Sequence, residues 1–261
     1  MFTGDYFMAI DTHAHIFDAQ FDEDRIDVIN RLIEAKIKKA VVVGFSKETN
    51  VLALNLAKEH AFLYPTAGLH PSEANEINES DIIDLEKFIN DNKVYAIGEC
   101  GLDYYWVNDN KEKQKWLFTE QIKLAIKYDL PLIIHCRDAV GDVYEILKEY
   151  KGKLRFVMHC YSGSSEMAVE FVKLGGMISL GGPVTFKNAK APKEVAKIVP
   201  LDRLLIETDC PYLAPHPNRG KRNEPSYVRL VLNEIATLRE ISADELEEVL
   251  DQNSIKFFKL D

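Results

Sequence analysis

Two histidines two residues apart, His13 and His15, close the first apolar run of the chain in Asp11-Thr-His-Ala-His15. On a β-strand, side chains at that spacing project to one face. Two imidazoles aimed at one point are the usual start of a metal site. The same kind of ending recurs, with Glu99, His135, His159 and Asp209 each at the close of a short apolar run. Four imidazoles and two carboxylates exceed what one tetrahedral ion needs. Two divalent ions bridged by Glu99 use them economically. Such a pair suits hydrolysis, because it can activate a water, polarise the scissile group and steady the leaving oxygen. Glu99 and Asp209 are then the catalytic carboxylates, with Asp209 both holding an ion and accepting the water's proton. Imidazoles suit zinc, nickel, iron or manganese, and carboxylates also suit magnesium. The expected cofactor is two divalent ions per subunit, of magnesium, manganese or zinc.

The elements that must position these residues follow a regular alternation. Apolar runs rich in β-branched residues occupy 8–12, 40–44, 62–67, 94–98, 131–134, 154–158, 177–180 and 203–206. Their near-continuous apolar character is that of strands covered on both faces. Helix-period segments lie between them, including Ile26, Val28, Ile29, Leu32 and Ile33, and then Val51, Leu52, Leu54 and Leu56. Ser80 reads as an N-cap and Gly175 as a helix C-terminus. Pro192 and Pro225 suit first helical positions. Ser242 with Glu245 has the spacing of a capping box. Eight strands separated by helices in 261 residues fit an α/β fold, the (β/α)8 TIM barrel, as one domain over 1–261. Ligands on the first and eighth runs favour this over an open sheet, because closure makes those strands neighbours. The stretch 211–225 reads as a long loop after the last strand.

Composition bounds the chemistry further. With 46% apolar residues the chain can bury a large core. No stretch is long enough to span a bilayer, and the first ten residues lack a signal-peptide pattern. The expectation is a cytoplasmic enzyme without membrane contact or obligate protein partner, and a monomer. Cys100, Cys136, Cys160 and Cys210 each follow a candidate ligand directly. Strand alternation should turn each sulfur to the opposite side, as small buried residues packing outside the strands. The net charge of −10 repels polyanions as a whole. Attraction of nucleic acid must then be local.

In order along the chain stand Asp11-Thr-His-Ala-His15, Gly68-Leu-His-Pro71, Gly98-Glu-Cys-Gly-Leu-Asp103, His135-Cys-Arg137, His159-Cys-Tyr-Ser-Gly163, Glu207-Thr-Asp-Cys-Pro-Tyr212 and Arg219-Gly-Lys-Arg-Asn-Glu-Pro225. Together these resemble the TatD family of metal-dependent deoxyribonucleases, among the amidohydrolase-like hydrolases. The resemblance covers almost the whole chain. It implies a (β/α)8 barrel that cleaves phosphodiester bonds of DNA as a 3′→5′ exonuclease on single strands or 3′ ends. It also implies that His13 and His15 bind one ion, completed by Asp209, that His135 and His159 bind the other, and that Glu99 bridges.

Further residues surround this set. His70 is a candidate phosphate donor on a loop at the functional end of a barrel. Arg137 offers a planar fork to phosphate, or a salt bridge capping the next helix. Glu207 reads as an acceptor that orients a ligating histidine. Arg219, Lys221 and Arg222 form the densest basic cluster, assigned to the substrate backbone on the resemblance, whereas Lys187, Lys190 and Lys193 read as a solvated helix start. Tyr104, Tyr105 and Trp106 could stack on bases or pack as a lid on their own barrel. A second reading of the whole keeps the metals but acts as an amidase, esterase or lactonase, or as a deacylase of aminoacylated tRNA. A third is a non-catalytic protein stabilised by metal.

Overall fold

A computed structural model describes residues 9–261, so Met8, expected to open the first strand, lies outside the described residues. Within them strands and helices alternate as β1 (Ile10–Ala14), α1 (Arg25–Glu34), β2 (Lys39–Val42), α2 (Lys47–Glu59), β3 (Leu63–Pro65), α3 (Glu79–Asp91), β4 (Ile97–Asp103) and α4 (Lys111–Tyr128). The order continues with β5 (Leu132–Arg137), α5 (Val140–Glu149), β6 (Phe156–Met158), α6 (Ser165–Lys173), β7 (Met177–Leu180), α7 (Lys190–Ile198), β8 (Leu204–Ile206), α8 (Val228–Arg239) and α9 (Ala243–Phe258). All the strands pair in parallel and in chain order, as β1-β2-β3 and β4 to β8.

Two seams join these runs into a cylinder. Ala67 bridges to Ile97, and Gly98 N–H donates to Ala67 O at 3.0 Å. Ala14 bridges to Cys210, with Asp209 N–H donating to His13 O at 2.8 Å and His15 N–H to Cys210 O at 2.9 Å. The sheet is therefore a closed (β/α)8 barrel. Its interior is filled by one residue from each strand or its edge: Ile10, Val41, Tyr64, Ala96, Ile133, Val157, Met177 and Leu205. The alternate strand residues pack outward against the helices, in a layer that includes Val42, Ile134, Met158, Phe118 and Phe171. Among the described residues no helix is long and apolar enough to cross a membrane.

Two bulges decide which way the chemistry points. Asp11 pairs with Ala40 but Ala14 with Val42, so β1 carries one extra residue there. Ile10 accordingly faces the interior while Ala14, four residues on, lies in the outer layer. An unbroken strand would put both on one face and turn His13 and His15 toward the helices. The bulge turns them inward instead. In β4, Ile97 pairs with Leu132 and Cys100 with Ile134, again one residue in excess. Ile97 and Cys100 both face outward, and Glu99 between them is turned into the barrel.

Several sequence expectations need adjusting. β4 does not end at Gly98 but runs through Glu99 to Asp103, and β5 runs through His135 to Arg137, because both edges find parallel partners there. The N-cap of α3 is Asn78, not Ser80: Asn78 accepts from Ser80 N–H, and Asp81 accepts from Asn78 N–H at 2.7 Å. Pro192 is third in α7 rather than first. On α1 only Val28, Ile29 and Leu32 are buried, while Ile26 and Ile33 fall off that 3.6-residue stripe and are exposed. Val51 and Leu52 of α2 are exposed for the same reason.

Gly98 sits in the β4 bulge at φ +139°, and a Cβ there would stand 2.6 Å from Ile133 O. Both conditions exclude a side chain. Gly98→Ala is expected to lower stability by about 2 kcal/mol or more and to displace Glu99. Thermal unfolding and metal titration of the variant check both effects.

Candidate metal centre

The six predicted ligands converge at the end of the barrel where the parallel strands finish. His13 Nε2 and His15 Nε2 are 3.2 Å apart. Glu99 Oε2 lies 3.4 Å from the first and 3.7 Å from the second, and Asp209 Oδ1 lies 3.7 and 3.4 Å from them. Four donors bound tetrahedrally at zinc-like distances stand roughly 3.4 Å apart. The nitrogen–nitrogen and nitrogen–oxygen separations here match that spacing. The other Glu99 oxygen, Oε1, faces a different pair, His135 Nδ1 at 3.0 Å and His159 Nε2 at 3.0 Å. Each oxygen of one carboxylate therefore addresses its own set of nitrogens.

Three of the four outer ring nitrogens are held as metal-binding histidines require. His15 Nδ1 donates to Val43 O at 2.8 Å, which turns Nε2 inward. His135 Nε2 contacts Asp103 Oδ2 at 2.8 Å, and His159 Nδ1 contacts Glu207 Oε1 at 3.2 Å. Glu207 also accepts from Cys160 N–H at 2.6 Å, so it is fixed from two sides. His13 Nδ1 is buried without a hydrogen-bond partner on the chain, its ring stacked on His159 at 4.1 Å.

Burial opposes charge on every ring here, and the neighbours decide the outcome. For His13, burial and the adjacent His159 lower the pKa. For His15, burial is outweighed by Asp209 and Glu99, which raise it. For His135, burial is outweighed by Asp103 and Glu99, and for His159 by Glu99 and Glu207, so both are raised, His159 well above its ordinary value. Burial alone would push the Glu99 carboxyl up, yet His159, His13 and His135 pull it well below the carboxylate range. Asp209 is lowered likewise against its burial, first by His15. The carboxylates draw positive charge toward them, and the raised pKa values of His15, His135 and His159 are the chain's own response to it.

Buried amides fix the loops beneath the centre. Asn50 pairs with both Gly68 N–H and Gly68 O, and Gln121 with Leu69 N–H and O. Gln114 does the same for Asp103, and Asn223 Nδ2 donates to Thr208 O and Tyr212 O. Sequence reasoning gave no role to Asp103 or Asp11. Asp103 sits four residues after Glu99, and that spacing was the available signal. Asp11 accepts from Thr208 N–H at 2.9 Å and Thr208 Oγ1 at 2.6 Å, tying β1 to the segment after β8. Burial pushes its carboxyl up to about 8.

A cavity of ≈ 600 Å³ opens over the centre, with His70, Arg137, Trp106 and Tyr212 on its walls. His70 Nδ1 accepts from Ser72 N–H at 3.2 Å, and its Nε2 lies 3.6 Å from Glu99 Oε1. Arg137 makes no helix-capping salt bridge among the described contacts; it stacks on Tyr105, its guanidinium 4.0 Å from the ring centre. Arg219 and Lys221 are exposed outside the cavity lining, with Arg219 over Phe186 at 4.3 Å. Arg222 is structural: it bonds Asp24 at 2.6 and 2.8 Å and Gln20 O at 2.6 Å, tying the 211–225 loop to the start of α1. Cys100 and Cys210 pack in the outer layer as expected, Cys136 packs against that layer while also bordering the cavity, and Cys160 borders the cavity alone. For Cys160 the reason is that β6 stops at Met158, so strand alternation no longer governs it.

The sequence model of the TatD related DNase family matches residues 10–259. The chain belongs to the TatD family. A relative in Bacillus subtilis, described as an uncharacterized metal-dependent hydrolase, YabD, is 47% identical over 97% of this chain and 100% of its own length. The 3′-5′ ssDNA/RNA exonuclease TatD of Pantoea vagans is 32% identical over 96% and 99%. The crystal structure of YjjV, a TatD homologue from Escherichia coli, superposes with a TM-score of 0.92 at 33% identity, over 97% of this chain and 98% of that one. Like the Bacillus subtilis relative, the protein is a metal-dependent hydrolase.

Because neighbouring carboxylates raise the pKa of His15, His135 and His159, and ligation needs their inward nitrogens without protons, metal affinity should fall as pH falls. Calorimetric titration near neutral pH should release protons, so that the observed heat varies with the buffer's ionisation enthalpy. Affinity that stays constant between about pH 6 and pH 8 would mean that these nitrogens do not ligate.

Proposed function

We propose that this TatD-family protein is a two-metal phosphodiesterase that degrades DNA from the 3′ ends of single strands. The observation that carries the proposal is the division of Glu99, with Oε2 toward His13, His15 and Asp209 and Oε1 toward His135 and His159. In this reading the first four residues hold one ion, and Glu99, His135 and His159 hold the other. Such ions supply Lewis acidity to the phosphoryl group and acidify an attacking water. The remaining work falls to side chains. Asp209, at the cavity wall and 3.4 Å from His15 Nε2, accepts the water's proton. His70, kept neutral because burial lowers its pKa, accepts at Nδ1 and so presents an Nε2–H donor to a phosphate oxygen. Arg137 offers a paired set of donors to a second phosphate.

Two further points support a nucleic-acid substrate. The Pantoea vagans relative named as an exonuclease aligns over 96% of this chain. On a protein of charge −10, the exposed Arg219 and Lys221 on the long loop after β8 supply a local attraction for phosphates beyond the cavity.

With magnesium, manganese or zinc, the protein should shorten labelled single-stranded DNA from its 3′ end. Asp209→Asn should lower kcat by about a hundredfold or more. Metal-bound protein that cleaves no DNA with any of the three ions would overturn the proposal. Replacing Arg219 and Lys221 together by alanine should raise KM. It should also flatten the log–log salt dependence of single-strand binding by roughly 1.4, read from filter binding at several salt concentrations.

A further inference from the structure

Tyr104, Tyr105 and Trp106 follow one another at the end of β4, but their surroundings differ. Tyr104 is tied down: its hydroxyl donates to Asp142 Oδ2 at 2.7 Å, and Lys111 Nζ lies 4.5 Å over its ring. Tyr105 and Trp106 are left 52% and 68% exposed. Their rings meet edge to face at 4.8 Å, and the Arg137 guanidinium lies 4.0 Å from the centre of one and 5.2 Å from the other. Trp106 and Arg137 both line the cavity that holds the metal ligands. These two rings therefore do not pack as a lid on the barrel. They form an open aromatic surface with a cation beside it, at the rim of the site.

One carboxylate fixes this surface relative to the chemistry. Asp103 Oδ1 accepts from Tyr105 N–H at 3.0 Å and Trp106 N–H at 2.9 Å, while its Oδ2 holds His135 Nε2 at 2.8 Å. The group that orients a metal-binding ring thus also anchors the aromatic rim. A flat ligand stacked on Trp106 would stand at a set position from a phosphate at the centre. Every nucleobase has a flat face, so stacking selects for an unpaired base without selecting its identity. A base inside a duplex is already stacked and paired, and cannot be offered in this way.

We propose that Trp106, with Tyr105 and Arg137, is the platform on which an unpaired nucleobase at the 3′ end of the strand stacks, so that the enzyme selects frayed or single-stranded, base-bearing ends. This rests on the phosphodiesterase reading above. It adds the feature of the substrate that is recognised and the residue that recognises it.

The test compares single-stranded oligonucleotides ending in an ordinary or an abasic 3′ nucleotide, using metal-loaded full-length protein. The parent should prefer the base-bearing end by about tenfold in kcat/KM. Trp106→Ala should bring the two substrates together, and Trp106→Phe should restore the preference. A binding readout accompanies this. In a Trp116→Phe background Trp106 is the remaining tryptophan, because the chain has two. Its fluorescence should be quenched by a phosphorothioate oligothymidylate and not by an abasic strand of the same length. Equal preference in the parent and Trp106→Ala, or unquenched fluorescence, overturns the inference. A parent that cleaves both ends equally ends the inference alone, whereas a parent that binds metal and cleaves no DNA ends the phosphodiesterase reading with it.

Discussion

A carboxylate enclosed in a barrel interior is tolerated only if positive charge or hydrogen-bond donors surround it, and around Glu99 stand His13, His15, His135 and His159, of which the last three are drawn toward their charged forms. That single requirement organises the mouth of the fold. The imidazoles must come from three separate strands, so the strands must be parallel and closed for their ends to meet. The rings must keep their inward nitrogens facing Glu99, so Val43, Asp103 and Glu207 engage the outward nitrogens of three of them. A divalent ion satisfies the same carboxylate better than protons can, because it concentrates two charges where the imidazolium charges are spread and mutually repelling. Metal affinity and the electrostatics of the metal-free site are then two expressions of one arrangement.

The backbone reaches this arrangement by breaking its own regularity in two places. A barrel of uninterrupted strands alternates strictly between interior and helix-facing residues. The interior cluster fixes that alternation at Ile10 and Ala96, which would leave His13, His15 and Glu99 among the helices. One extra residue in β1 and another in β4 reverse the phase where the ligands begin. Gly98 belongs to the second of these bulges, since the strand passes too close to Ile133 for any side chain there. The hydrophobic interior and the polar mouth are thus parts of the same strands in opposite phase.

Hydrogen bonding and burial are graded outward from the candidate ligands. Beneath them, Asn50, Gln114, Gln121 and Asn223 satisfy loop backbone groups that would otherwise be buried without partners. These amides substitute for strand pairing after the strands have ended. At the rim the side chains are exposed and only partly engaged, as with Trp106, Tyr212 and Arg219.

The types and order of the candidate ligands were legible in the sequence, because an imidazole or carboxylate at the end of an apolar run is a local pattern. Eight such runs also implied the barrel, and all eight correspond to strands, though with shifted ends. Local patterns could not give the phase of β1 and β4, since a bulge depends on which residues of the neighbouring strand are available to pair. Asp11 carried no local mark of its role and Asp103 only its four-residue spacing from Glu99, since both roles exist through Thr208 and His135 across the barrel. The basic cluster read as one group was divided by tertiary contacts, with Arg222 drawn to Asp24 while Arg219 and Lys221 stayed at the surface. The cysteines were divided similarly once β6 ended early. Composition and spacing thus determined which chemistry the chain can assemble, because side-chain identity is written residue by residue. Closure of the barrel decided where each group points and which are free to meet a substrate, because orientation and partnership arise between segments far apart in the chain.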